Sequence, residues 1–330
     1  MHPPETTLLR AEEMAQRLFG DRASKMRMLV IVNPYATTVS DRLKNLVVYA
    51  LESRYSVQAV DTDSPGHATQ ICREAAREGY DVVVAFGGDG TANEAANGLV
   101  GSETPLTCLP GGATNVFCRT LGIPRDVVDA TEHLLRMADQ FAPRRIDLGT
   151  VDDRHFTFSS GVGLDASVVR RVEAHPKLKR RLGEYYVTYA SISTFNRRYL
   201  LKPPRVQVRV GAETVEGVTC IVQNSDPYTF FGDRPIRLAE GAGLDTGSLG
   251  VTVLKRATPL EVPTLLPRVF SGRSESVIKA RQIKPFAGVA ELVVSSLDGR
   301  PFPLQMDGDY VGESESVRYG IRPRALRVVA

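Results

Sequence analysis

A chain of 330 residues with 42% hydrophobic and 24% charged residues is long enough for two domains with their own cores, and a net charge of only +3 excludes nucleic-acid binding driven by whole-chain charge. No apolar run reaches the ~18 residues of a membrane span, and the N-terminus lacks the basic region and apolar core of a secretory signal. Cys72, Cys108, Cys118 and Cys220 form no CxxC and the histidines never take zinc-ligand spacing, so a reduced cytoplasmic interior is expected.

Residues 1–26 read as a helical extension in which Leu8, Met14, Ala15 and Leu18 share one face. That face can dock on the body of the protein, on a second copy in a homodimer, or on a membrane, and docking on protein is the simplest of these. From Met28 to Arg144 strand and helix patterns alternate. MLVIV leads into Asn33-Pro34, then come a helix over 40–53, the strand SVQAV, a helix over 66–78, the strand VVVAF, a helix over 91–99, and a short strand over 106–109 with a Gly-Gly turn into another helix. Such alternation implies a parallel sheet covered by helices, with ligands collecting at the carboxyl ends of the strands.

Residues 82–94, VVVAFGGDGTANE, hold the strongest local signal. A buried-looking strand ends in Gly87-Gly88-Asp89-Gly90 and continues into a helix. Glycines admit a ligand close to the backbone, and the N–H groups at a helix start attract anions. A carboxylate beside phosphates needs a reason, and a bridging metal ion or an acceptor hydroxyl supplies one. A capping role for Asp89 is the plainer alternative. The chain has no GxxxxGK[ST], and Asn93 stands where a dinucleotide fingerprint needs its third glycine. Gly161-Val162-Gly163 and Gly241-Ala242-Gly243 read as turns.

Beyond Ile146 the texture changes to short β-rich segments, RVQVRV, TVEGVTCIVQ, LGVTVL, AELVVSS and ESVRYGI, separated by Gly, Pro and Asp. These predict a mainly antiparallel sandwich. Residues 1–145 are therefore expected to form a nucleotide-binding α/β domain, to which 322–330 can return, and 146–321 a β-rich substrate domain. An insertion over 175–201 carries Lys177, Lys179, Arg180 and Arg181, followed by Tyr185, Tyr186 and Tyr189. A charge run of this kind is usually a solvated face, and attraction to an anionic bilayer is the functional alternative.

Taken together, the ordered motifs resemble the diacylglycerol kinase and sphingosine kinase catalytic family, in particular its soluble bacterial lipid kinases, which share the fold of NAD kinases. Asn33-Pro34 resembles the NP motif, Thr62 with Gly66-His67-Ala68 the Thr and G-[HD]-A element, and Gly87 to Glu94 the GGDGTxNE signature. Pro110 to Phe117 resembles PxGTxNDF, Arg145-Ile146-Asp147 the D-[IL]-G strand, and Met306-Asp307-Gly308-Asp309 the DGE element. The resemblance implies an ATP- and Mg2+-dependent kinase that phosphorylates a hydroxyl of diacylglycerol or a related lipid alcohol. It implies ATP binding at Asn33, Thr62, Gly87, Gly88, Asp89, Gly90, Thr91, Asn93, Glu94, Gly112, Ala113, Thr114 and Asn115. Asp309 is implied as the proton acceptor, with Asp89 beside it, and Asp89 and Asp147 as candidates for the magnesium. The lipid would enter from the cleft between domains, with Tyr228, Phe230 and Phe231 as candidate acyl-chain contacts and the enzyme held peripherally at the membrane.

Several positions depart from the family pattern. Ala113 stands at the threonine of PxGT, Val116 at the usual aspartate, and Asp309 is one methylene shorter than the family's glutamate. Thr246, in Leu244-Asp245-Thr246-Gly247, stands where relatives place a ligand of a structural magnesium, so no metal is expected there. An NAD kinase-like enzyme and a non-catalytic nucleotide- or lipid-binding protein are the rival functions.

Overall fold

The computed structural model describes residues 25–175, 204–258 and 261–330. The N-terminal extension, the basic cluster and Tyr185, Tyr186 and Tyr189 lie outside the described residues. Short apolar runs bounded by polar turns fold as parallel strands: β1 (Arg27–Val32), β2 (Ser56–Asp61), β3 (Val82–Gly87) and β4 (Leu106–Pro110). They pair in the order β2-β1-β3-β4, so β3 is flanked on both sides and every one of its residues is buried. Helices α1 (Asp41–Leu51), α2 (His67–Glu78), α3 (Asp89–Leu99), α4 (Val116–Thr120) and α5 (Val127–Met137) make the crossovers. Ser40 caps α1 by accepting from Leu43 N–H, and Asp126 caps α5 by accepting from Val128 and Asp129 N–H. Small residues bring α3 close to α2: a side chain on Gly98 would collide with Cys72 and with the Thr69 carbonyl.

The remaining elements are β5 (Arg144–Val151), β6 (Arg154–Phe156), β7 (Ser159–Gly163), α6 (Leu164–Glu173), β8 (Val206–Val210), β9 (Glu213–Gly217), β10 (Thr219–Gln223), β11 (Thr229–Phe231) and β12 (Arg234–Ile236). They are followed by β13 (Leu249–Leu254), α7 (Val262–Val269), α8 (Ser274–Ile278), β14 (Ile283–Val289), β15 (Glu291–Ser296), β16 (Phe302–Met306), β17 (Asp309–Ser314) and β18 (Ser316–Val328). Strands β14-β13-β10-β7-β16-β17 form one antiparallel sheet. It packs on the β18-β15-β8-β9 part of the other sheet through Val162, Val222, Val251, Phe302 and Tyr319. The fold is thus an α/β half with a parallel sheet and a β-sandwich half. The long strand β18 joins them. It runs antiparallel to β5 and β15, and its Val328 lies parallel beside Leu106 of β4.

Local structure differs from the sequence expectation at three places. Helix α3 starts at Asp89, with Gly88 as N-cap, so Asp89 and Gly90 belong to the first helical turn and the bend between strand and helix is tighter than four residues. The run TVEGVTCIVQ divides at Val218 into β9 and β10, which belong to different sheets. Gly161 and Gly163, expected in a turn, lie in β7, which is paired on both sides by β10 and β16, and position 161 is glycine there because a side chain would collide with the Asp165 carboxylate.

Candidate active site

The carboxyl ends of the parallel strands are locked together by backbone hydrogen bonds, from Asn33 N–H to Phe86 O (2.9 Å), Thr62 N–H to Val32 O (2.8 Å) and Gly111 N–H to Gly87 O (2.8 Å). The polar turns that follow these strands therefore converge. They open into a cleft that continues as a cavity of about 900 Å³ into the sandwich half. Its outer end is lined by Asn33, Thr62, Gly88, Asp89, Gly90, Thr91, Glu94, Gly112, Ala113, Thr114 and Asp309. These are most of the positions predicted from the sequence. Gly87, Asn93, Asn115 and Asp147 do not line it.

Four of the predicted side chains hold the turns in place. The Asn33 amide donates to Thr91 Oγ1 (3.0 Å), joining the first turn to the start of α3. Glu94 accepts from Gly66 N–H (2.8 Å) and Ala68 N–H (3.2 Å), supplying the cap that Gly66, without a side chain, cannot give α2. Asn115, at φ 51°, closes a ring with Gly112: its Oδ1 accepts Gly112 N–H and its Nδ2 donates to Gly112 O, both at 2.8 Å. Asn93 reaches the other half, donating to Asp307 Oδ2 (2.7 Å) and His155 O (2.9 Å).

The aspartates divide sharply. Asp89 accepts Val116 N–H and Phe117 N–H, both at 3.0 Å, one on each carboxylate oxygen. A negative charge there suits the positive end of a helix, so Asp89 caps α4 rather than its own helix. Asp307 is buried and accepts from Asn93 Nδ2, Thr157 N–H and Oγ1, Phe158 N–H and Ser159 N–H, at 2.6–3.0 Å. Burial pushes its carboxyl above the usual range, against the pull of these donors. Asp309 begins β17 and overhangs α3, since a methyl group on Gly90 would collide with its carboxylate. The glycine at 90 is what lets a carboxylate from the sandwich half approach the start of a helix in the α/β half.

Asp147 is not brought to the cleft. It is buried, and its oxygens accept Arg324 N–H and Gly247 N–H, both at 2.7 Å, which ties β5 to the irregular part of β18 and to the 244–247 loop. Thr246 turns its hydroxyl to Gly243 O and Ser248 O, both at 3.1 Å. Among the described residues no group of three or more His, Cys, Asp or Glu is placed to hold a metal. Asp89 and Asp309 nonetheless fit a magnesium ion carried in by a nucleotide, since such an ion takes one or two protein carboxylates beside phosphate oxygens and water.

Past Asp309 the cavity becomes apolar. Leu164, Val168 and Val172 of α6 form one wall, Ile221 and Leu254 another, and Tyr228, Phe230 and Phe231 the side facing α4. One acid sits in this apolar lining and was not singled out in the sequence. Asp165 accepts from the Tyr228 hydroxyl and from Gln305 Nε2 (2.7 Å). Burial raises its carboxyl above the usual range, and both hydrogen bonds pull it back down. Its only local sign is its place at a helix start after Gly161-Val162-Gly163. Its burial comes from strands far away in sequence.

Two family descriptions match the chain. Residues 27–151 match the diacylglycerol kinase catalytic domain, and residues 158–330 match the YegS C-terminal NAD kinase beta sandwich-like domain. The chain is 32% identical over 299 residues to a diacylglycerol kinase of Staphylococcus aureus (strain MRSA252), covering 88% of each chain. It is 28% identical over 299 residues to a diacylglycerol kinase of Bacillus subtilis (strain 168), covering 86% of this chain and 93% of that protein. Among solved structures, that of a diacylglycerol kinase from Bacillus anthracis str. Sterne superposes with a TM-score of 0.64 at 19% identity, over 93% of this chain and 98% of that one, a likeness of fold.

Proposed function

Since the chain belongs to the diacylglycerol kinase family, we propose that it transfers the γ-phosphoryl group of ATP to a hydroxyl of diacylglycerol or a related lipid alcohol. The observation that carries this reading is the Asp309 carboxylate above Gly90, at the junction between a glycine-bounded helix start and the apolar part of a cavity of about 900 Å³. The helix start suits phosphates, the cavity suits acyl chains, and the carboxylate lies where the two meet.

The chemistry follows from that placement. Asp89, Gly90 and Thr91, the first turn of α3, line the cleft, and such a helix start suits phosphate oxygens. Thr91, oriented by Asn33, and the 112–114 turn border the same space. The lipid hydroxyl enters from the apolar side, Asp309 accepts its proton as the oxygen attacks the γ-phosphorus, and the bond to the β-phosphate oxygen breaks to release ADP. A bound magnesium ion, held by Asp89 or Asp309 with the phosphates, would neutralise charge on the transferring group. Asp307 is a clasp that fixes the turn from which Asp309 projects.

Incubating the purified protein with γ-labelled ATP, Mg2+, NAD and a dispersed lipid extract tests the reading. Label in a lipid phosphate ester is expected. Label in NADP with none in lipid would replace it with a nucleotide kinase. The basic cluster over 177–181 further suggests that the enzyme meets its substrate at an anionic bilayer. Salt-independent sedimentation with anionic vesicles would count against that surface.

A further inference from the structure

The hairpin formed by β11 and β12 pairs with no other strand among the described residues, and its two-residue turn is Gly232-Asp233. A lone two-stranded hairpin is marginal by itself, so its position is set by what grips it. Along its length it supplies Tyr228, Phe230, Phe231 and Ile236 to the cavity, and Phe231 meets Phe270 edge to face at 5.4 Å. Near its tip one side chain from the other half of the molecule grips it at three points, a ring, a backbone carbonyl and a carboxylate.

That side chain is Arg119, in α4. Its guanidinium lies 3.4 Å from the centre of the Phe230 ring, Nη1 donates to Gly232 O at 3.0 Å, and Nη2 stands 3.8 Å from the Asp233 carboxylate, which also pairs with Arg125 at 3.1 Å. The Arg119 side chain is only 13% exposed, where a cation over a ring and a fork to a carbonyl count for more than they do in open water. Phe230 packs on the core of the α/β half. At its other end α4 is fixed by Asp89, which accepts the N–H groups of Val116 and Phe117. The residues just before α4, Gly112 to Thr114, border the phosphate end of the cleft. One short helix thus touches the nucleotide side with its N-terminus and the acyl-chain wall with its last turn.

We propose that Arg119 is a positioning residue that makes the shape of the lipid cavity depend on the nucleotide turn, so that a bound nucleotide favours lipid binding. The inference rests on the functional reading above, with phosphates at 88–91 and acyl chains between α6 and the hairpin. Linkage makes the effect reciprocal. Lys at 119 would keep a cation over Phe230 but lose the fork to Gly232 and Asp233.

The test measures binding of a fluorescently labelled dioctanoylglycerol with and without a non-hydrolysable ATP analogue and Mg2+, alongside turnover. In the wild type the analogue is expected to tighten lipid binding about tenfold, within the usual range of coupling between sites. In Arg119→Ala that factor should fall close to one and the lipid KM should rise about tenfold, the scale of a lost desolvated cation–ring contact. Affinity for the analogue alone should stay unchanged, and Arg119→Lys should fall between. Asp233→Asn, at a largely exposed residue, should lower the factor in part, and it carries the test if Arg119→Ala does not fold. An active wild type with no coupling, or Arg119 variants that retain it, would overturn the inference. A wild type that phosphorylates no lipid would instead overturn the functional reading.

Discussion

Asp307 and Asp309 stand two residues apart with opposite duties. Asp307 is enclosed by donors from α3, from the bend at Thr157 and Phe158 and from β7, while Asp309 overhangs Gly90 at the cleft. Asp309→Asn keeps the shape and removes the proton acceptor, so turnover on lipid should drop by at least about a hundredfold. ATP affinity measured by calorimetry should stay near that of the wild type, and equal loss of both would place Asp309 among the nucleotide ligands. Asp165 gives a second expectation, in stability. Burial raises its carboxyl, so the folded state holds the proton after the unfolded chain has lost it. The cost is absent below the unfolded value of about 3.9 and grows as pH rises through the window between the unfolded and folded values. Asp165→Asn removes that titration. Its Tm relative to the wild type should therefore improve as pH rises from about 4 to neutrality, and a difference independent of pH would show that Asp165 is ionised in the fold.

Helix α3 shows why a single hydrogen atom at position 90 decides function. Gly90→Ala would ordinarily favour a helix by about 0.5–1 kcal/mol, yet its methyl group would strike the Asp309 carboxylate. We expect turnover to fall while the Tm holds or rises slightly, a pattern that thermal melts and lipid kinase assays on the same preparation would reveal. Loss of fold and activity together would mean that Gly90 serves packing alone. The presence of this helix and its neighbours was legible because the signals are local: apolar runs for the strands, and glycines and polar turns before the helices. Its first residue was set two positions too late, since Gly-Asp-Gly reads as a loop until Gly88 is seen as the N-cap. The polar turns at Asn33, at Gly87 to Gly90 and at Gly111 to Asn115 were legible for the same reason, each following a strand, whereas the individual residues came from the family resemblance. Asp147 was misplaced and Asp165 missed because their surroundings come from distant segments: Gly247 and Arg324 for one, Tyr228 and Gln305 for the other.

At the scale of the whole molecule, β18 belongs to both cores. Val317 and Tyr319 pack in the sandwich, while Ala325, Leu326, Val328 and Val329 pack with β1, β3 and β4. Asp147 fastens the strand between these stretches through Arg324 N–H. Calorimetry should therefore show one cooperative unfolding transition. Two resolved transitions would mean that the halves are stable separately.

The last strand also bears on how the chain is made. During synthesis the first four strands emerge well before the stretch that flanks β4, in which Val328 lies beside Leu106 and Val329 N–H donates to Leu106 O. Until that stretch has been made, β4 presents an open edge of the kind that invites pairing with another chain. The end of the cleft at α3 can be complete only after the sandwich half has been made. A chimera that exchanges the sandwich half would thus need two splice points, one before β5 and one within β18.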